Sequence, residues 1–303
     1  MKNVLRWMSG KGSRSVLHPP IWTPVRAGPL AGCEFFLPQG LKGWAGRIAR
    51  GEYEPDLCKE ITALAMQGGT LYDIGAHIGF FSCSWLKLGG ACVECFEPAP
   101  GNAEVVRATL VRNALPLSAR LAGDGQAERS ASKVRVTPPD TYTAPPVRAA
   151  HIEPRAQGAQ AKAVRVHELA LGDRDGDGTL MVNAGNLGKS SMAYLRETGG
   201  IDTEREGKVY AQAEEVKVAV RKLDTYAREH QLVPPSAMKI DVEGAEAAVL
   251  AGAQELLAAY KPVLLMEIHT IDAALDCAAH LTRLGYRSRT LTHTAGMPVV
   301  RWD

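Results

Sequence analysis

The chain has 303 residues, with 35 Lys plus Arg set against 33 Asp plus Glu and a formal net charge of +2. That balance argues against a protein whose main task is gripping nucleic acid. A hydrophobic fraction of 46% with 22% charged residues excludes wholesale disorder. No apolar run reaches the roughly 18–20 residues of a membrane span, and the start lacks the apolar stretch of a secretory signal, so a cytoplasmic protein is expected.

Residues 1–33 hold five basic residues, four prolines and no acid, which predicts a mobile basic arm ahead of a single domain over 34–303. CEFFL, from Cys33, then reads as a short strand. Pro55 opens a helix with Leu57, Ile61, Leu64 and Ala65 at helical spacing, ended by Gly68-Gly69. A strand LYDI (71–74), a helix over 82–88, a strand ACVECF (91–96) and a helix over 102–113 follow. Residues 118–162 are rich in Ala and Pro with one aromatic, Tyr142, and predict a disordered insertion or a lid.

Beyond it, AVRVHEL (163–169) is a strand. The turn DRDGDG leads to a second strand TLMVN. KVAV (217–220) and AMKID (237–241) are strands, 245–259 a helix, and PVLLMEI (262–268) a buried strand. A helix over 271–284 is expected to turn Leu275, Ala278 and Leu281 inward. RSRTL and MPVVRW close the chain as two strands joined by a Gly-Met-Pro turn. Strands and helices in alternation predict an α/β fold: a doubly wound, mainly parallel sheet, Rossmann-like, ending in an antiparallel hairpin.

Three motifs carry chemistry. Asp73-Ile-Gly75-Ala-His77-Ile-Gly79 follows a strand, where a glycine-rich turn brings backbone N–H groups close to a ligand. The glycines are four apart, unlike the G-x-G-x-x-G that wraps a pyrophosphate, and the preceding acid would repel one. The loop suits a ligand with an ammonium group, such as S-adenosylmethionine. Glu97 ends the next strand, where a carboxylate can accept both ribose hydroxyls of an adenosine. Lys239, Asp241 and Glu243 fall on one face at the end of a third strand, and Glu267 and His269 end a fourth. All would face the crevice beyond the carboxyl ends of the strands.

YDIGAHIGFFS, CFEPAP, ELALGDRDG and KIDVEGAEAAVLAGA, followed by KPVLLMEIH, resemble the FkbM family of S-adenosylmethionine-dependent methyltransferases, from about Trp44 to Tyr286. The resemblance implies a class I methyltransferase fold and O-methylation of a hydroxyl on a sugar, glycan or polyketide-type small molecule. It places Asp73, Gly75, His77 and Gly79 at the methionine end of the cofactor, Glu97 at the ribose, Asp173 near the adenine amine and Asp241 at the acceptor pocket. The sequence departs from the family at His77, where Asn is usual, and in the segment before ELALGD.

A hydroxyl must lose its proton to attack the sulfonium methyl, so a base is useful, and Asp241, Glu243 and His269 are the candidates, Asp241 first. An acidic group of this kind can alternatively hold a divalent cation. A nicotinamide-dependent oxidoreductase and a catalytically silent S-adenosylmethionine-fold binding protein are the competing readings. Asp173-x-Asp175-x-Asp177-Gly178 copies half a calcium loop, but its twelfth position is Ala184, so a solvated turn is expected. The six cysteines read as core residues, the C-x-x-C at Cys92 and Cys95 included, because no second pair accompanies it. His167 and His280 read as structural.

Overall fold

The computed structural model describes residues 20–40, 42–117, 163–183, 193–198, 213–291 and 298–303. The insertion expected over 118–162 and the tip of the C-terminal hairpin lie outside the described residues, as do residues 1–19.

From Pro20 onward the segment expected to be an arm belongs to the fold. β1 (Ile21–Pro24) pairs antiparallel with β2 (Glu34–Leu37). Val25, Leu30 and Cys33 are buried, and Val25 and Cys33 close the connection through a 2.8 Å backbone bond. Pro24 ends its strand, where a missing N–H costs no ladder bond, so the prolines do not prevent pairing.

Among the described residues of the first half four helices follow: α1 (Gly43–Arg50), α2 (Pro55–Ala65), α3 (Phe80–Lys87) and α4 (Pro100–Arg112). Helix α2 buries the four expected residues, Leu57, Ile61, Leu64 and Ala65. Helix α1 was not foreseen. It buries Ala45, Ile48 and Ala49, and Gly51 in the left-handed conformation caps its end by donating to the carbonyls of Arg47 and Ile48.

The main sheet contains β3 (Thr70–Ile74), β4 (Cys92–Phe96), β5 (Ala163–His167), β10 (Ala237–Ile240), β11 (Val263–Glu267), β12 (Ser288–Thr290) and β13 (Val299–Trp302). Their order is β12-β13-β11-β10-β3-β4-β5. β5, β4, β3, β10 and β11 run parallel, and β13 pairs antiparallel with both β11 and β12. This is the predicted doubly wound, mainly parallel sheet with its C-terminal hairpin. Both faces are covered. Leu71, Val93, Cys95, Ala237 and Leu265 face one apolar cluster, while Tyr72, Ile74, Phe96, Met238, Ile240, Leu264 and Met266 face the other.

Not every strand joins that sheet. β6 (Ala170–Leu171), β7 (Gly176–Asn183), β8 (Tyr194–Leu195) and β9 (Ala213–Arg221) form a separate sheet in the order β6-β9-β7-β8. TLMVN and KVAV pair antiparallel here, around a small core of Leu180, Val182, Leu195, Val218 and Val220.

In the second half, α5 (Leu223–Glu229) leads to β10. The single helix expected over 245–259 is two, α6 (Glu246–Ala251) and α7 (Gln254–Tyr260). Gly252 sits at the break, where a Cβ would lie 2.0 Å from the Gly172 carbonyl oxygen. The Asp224 carboxylate accepts from the N–H groups of Glu255 and Leu256, both at 2.9 Å, and so caps α7. Helix α8 (Ile271–Arg283) turns Ala273, Cys277 and Leu281 inward. Leu275, expected inside, is 64% exposed, because a residue two positions past Ala273 lies on nearly the opposite side of a 3.6-residue helix.

Candidate active site

The chain leaves β3 for β4 on one side and reaches β10 on the other, so the neighbours β3 and β10 flank the switch point of the sheet. The loop after β3 turns sharply there. Gly75, His77 and Gly79 all have positive φ, at 79°, 51° and 77°. Gly75 is required for packing, since a Cβ would lie 1.9 Å from the carbonyl oxygen of Asp241. The N–H groups of Gly75 and Ala76 both bond to Phe96 O, which lays the loop across the end of β4.

One cleft is lined by Gly75, His77 and Glu97 on one side and by Asp241, Glu243 and Glu267 on the other. Helix α1 and the following loop contribute Trp44 and Tyr53, and the Trp44 ring meets His77 edge-on at 5.3 Å. Thus four sequence-predicted cofactor and acceptor residues, Gly75, His77, Glu97 and Asp241, meet in one place.

Three others are placed differently. Asp73 is 1% exposed and does not line the cleft. It accepts from Ser82 Oγ at 2.5 Å and faces Lys239 Nζ at 3.9 Å, so it braces α3 and the loop from beneath. Burial raises its pKa, against the opposing pull of Lys239 and Ser82. Gly79 packs on Val106 and N-caps α3. Asp173, expected beside the adenine, is exposed on the turn after β6 and pairs with Arg174 at 3.6 Å. β6 pairs with β9, and this draws the Ala-Leu-Gly-Asp segment to the second sheet.

Glu97 is 4% exposed. Its oxygens accept from His77 N at 2.8 Å, Ala99 N at 3.0 Å and Asn102 Nδ2 at 3.3 Å. A carboxylate has about four acceptor positions, so about one remains for a ligand hydroxyl. Burial lifts its pKa to about 7, even against these three bonds.

The opposite wall is a knot of acids around two basic side chains. Lys239, in register beside Asp73, donates to Gly75 O at 3.0 Å and Asp241 Oδ2 at 3.1 Å. Burial raises Asp241, but Lys239 and His269 outweigh it and hold the carboxyl below its ordinary value. His269 Nδ1 bonds to Glu246 Oε1 at 2.7 Å. Its Nε2 faces Asp241, Glu243 and Glu267 at 3.6, 3.4 and 3.9 Å. Burial lowers the His269 pKa, but the Glu246 bond and the surrounding carboxylates carry it up to about 10. An acid limb near 6.5 from this residue, the ordinary expectation for histidine, is therefore not expected. Burial also lifts Glu243 to about 8 and Glu267 to about 7. Asp241, Glu267 and His269 each bring a donor atom to within 4.8 Å of the others.

Glu246 and Glu267 had no assigned role in the sequence reading. Glu267 was visible at its strand end. Glu246 is fully buried at the start of α6, and only its spacing from Glu243 hints at it.

Residues 146–288 match the family described as the methyltransferase FkbM domain. Over that stretch the chain is similar to FkbM methyltransferase domains. A curated relative, the 31-O-demethyl-FK506 methyltransferase FkbM of Streptomyces tacrolimicus, is 28% identical over 223 residues, which is 71% of this chain and 71% of that protein. Among solved structures, an FkbM methyltransferase of Methylobacillus flagellatus is 15% identical with a TM-score of 0.46. It is matched over 85% of this chain and 52% of its own, so the chain spans about half its length. A Bacillus cereus O-methyltransferase in complex with SAH is 9% identical with a TM-score of 0.39, over 85% of this chain and 84% of its own. The FkbM match includes Asp241, Glu243, Glu246, Glu267 and His269 and begins downstream of the Gly75 loop. No helix among the described residues is long and apolar enough to cross a membrane.

Proposed function

We propose that this protein is an S-adenosylmethionine-dependent O-methyltransferase acting on a hydroxyl of a small-molecule acceptor of the sugar, glycan or polyketide type. The observation that carries the reading is the single cleft shared by the Gly75–His77 loop, Glu97 and the acids at the ends of β10 and β11. The chemistry of that wall fits the donor. Its carboxylates favour a cationic sulfonium and ammonium and oppose a pyrophosphate, which weighs against a nicotinamide cofactor. The name of the Streptomyces relative specifies an oxygen as its methylated atom.

S-adenosylmethionine supplies, when bound, an electrophilic methyl on sulfur. The chain's own share is to position and to move a proton. The carboxyl of Glu97 holds the donor against the wall formed by the Gly75–His77 loop, while Asp73 and Gly79 fix that loop from below. Glu243 takes the acceptor's hydroxyl proton. It lines the cleft, whereas Asp241 is committed to Lys239. Alignment of acceptor oxygen and methyl supplies most of the acceleration.

Calorimetry with S-adenosylmethionine tests the reading. Binding is expected in the wild type, weakened about ten- to hundredfold in Glu97→Ala through loss of charge-assisted hydrogen bonds. Asp173→Ala is expected to bind as wild type. Saturable binding of a nicotinamide dinucleotide in place of S-adenosylmethionine would overturn the assignment. Donor binding with no methyl transfer to any hydroxylated acceptor would favour a silent binding protein.

A further inference from the structure

Asp241 follows β10, Glu267 ends the neighbouring β11, and His269 lies two residues beyond it. Acids gathered at strand ends would not by themselves define a site. The histidine among them carries the inference. Its side chain is 5% exposed, with Nδ1 bonded to Glu246 and Nε2 lying 3.4 Å from Glu243 Oε2, 3.6 Å from Asp241 Oδ1 and 3.9 Å from Glu267 Oε1. A metal-ligating imidazole is held in this way, with one ring nitrogen fixed by a buried carboxylate and the other turned toward the ion. Glu246 is that carboxylate, fully buried, and its bonding oxygen is itself fixed by Gly244 N at 3.0 Å. Lys239 occupies Oδ2 of Asp241, which leaves Oδ1 facing the gap.

We propose that Asp241, Glu267 and His269 bind a divalent transition-metal ion such as Mn²⁺ or Zn²⁺ at the acceptor side of the cleft, with Glu246 as the residue that positions the histidine. One imidazole with two carboxylates suits these ions better than it suits calcium, which takes oxygen donors only. Three protein donors leave coordination positions open. Open positions here fit an acceptor with two adjacent oxygens, a vicinal diol or a hydroxyl beside a carbonyl. The acceptor class rests on the methyltransferase reading, whereas the binding of the ion does not.

The test uses the full chain, stripped with a chelator and titrated with Mn²⁺ by calorimetry and by loss of the free-ion paramagnetic signal. One ion per chain is expected. Glu267→Gln, His269→Gln and the more conservative Glu246→Gln should each weaken it about tenfold or more, with circular dichroism confirming a folded chain. S-adenosylmethionine affinity is measured on the same samples and should stay unchanged in Glu246→Gln, whose carboxyl does not line the cleft. Absence of saturable binding of Mn²⁺ or Zn²⁺ to folded wild type would overturn the site, leaving His269 as a protonated imidazolium among carboxylates. Equal binding in all three folded variants would overturn it too. If the ion binds and S-adenosylmethionine does not, the function reading fails and the metal site stands.

Discussion

Two histidines occupy comparable places in the main sheet, His167 at the end of β5 and His269 just past the end of β11, yet their surroundings differ in kind. His167 is 1% exposed and both ring nitrogens are bonded, Nε2 to Glu94 at 2.9 Å and Nδ1 to Tyr226 Oη at 3.0 Å. Arg165 Nε meets both oxygens of the same Glu94 at 2.9 Å, so one buried acid answers two basic partners. Around His269 the proportion is reversed, with four carboxylates gathered on one imidazole. A buried network with every member satisfied specifies a fold. A surplus of one charge in a cleft is unfavourable for the empty protein and has meaning only toward something that enters.

The largest effect expected from this contrast is on turnover. Glu243→Gln should lower kcat by 10²–10⁴-fold, the usual contribution of a general base, while S-adenosylmethionine affinity barely moves. Single-turnover methyl transfer with a competent acceptor checks it, and near-normal rates would remove Glu243 from the mechanism. The next effect falls on stability at the other site. Glu94→Ala leaves His167 buried without its acid and should cost about 3 kcal/mol in urea unfolding, the lower end for breaking a buried pair because Arg165 keeps some access to water. A loss below about 1 kcal/mol, the scale of an exposed pair, would erase the distinction between the two histidines.

The smallest effect is a slope. Glu97, Glu243 and Glu267, with folded values of about 7, 8 and 7, all lie above the ordinary 4.5. Between those limits the folded state holds more protons than the unfolded one, so stability is full below 4.5 and falls as pH rises toward 8. His269, raised to about 10, acts in the same direction, and Asp241, held low, gives its stability in the opposite sense only as pH falls through the acid range. The melting temperature of the ligand-free protein should therefore decline from pH 5 to pH 8, more gently in Glu97→Gln. A flat or rising curve would show that the cleft carries no surplus of acid.

How far such a contrast can be read from sequence depends on the range of the forces involved. Helix α2 was legible because its apolar spacing is local, and the parallel strands were legible because strands buried on both faces are apolar runs. β1 was not, since four residues with a terminal proline gain strand character only by meeting β2. Nor was the second sheet, because TLMVN and KVAV satisfy each other as well as they would a larger sheet. The Gly252 break depends on a carbonyl eighty residues upstream. Around the cleft, Gly75 was legible as part of a glycine-rich turn, and Glu97, Asp241 and Glu243 as charged residues at or just past strand ends. The burial of Asp73 and Glu246 was not, because it is decided by what α3 and α8 place over them. The surroundings of Asp173 were not legible either, because the strand before it pairs with the second sheet and leaves the residue on an exposed turn.

Gly75 gives the site an indivisible geometry. Its missing side chain lets the Asp241 carbonyl rest against the loop, and Lys239 ties the Gly75 carbonyl to the Asp241 carboxylate. The proposed donor seat and acceptor wall are therefore joined at one seam. An acceptor pocket remodelled by exchange of outer residues such as Trp44 or Tyr53 would inherit its alignment to the donor intact. A change at the joint would misplace both ends of the reaction at once. New specificities in a scaffold of this kind would arise at the rim, with the seam between β3 and β10 as the fixed datum from which each variant is measured.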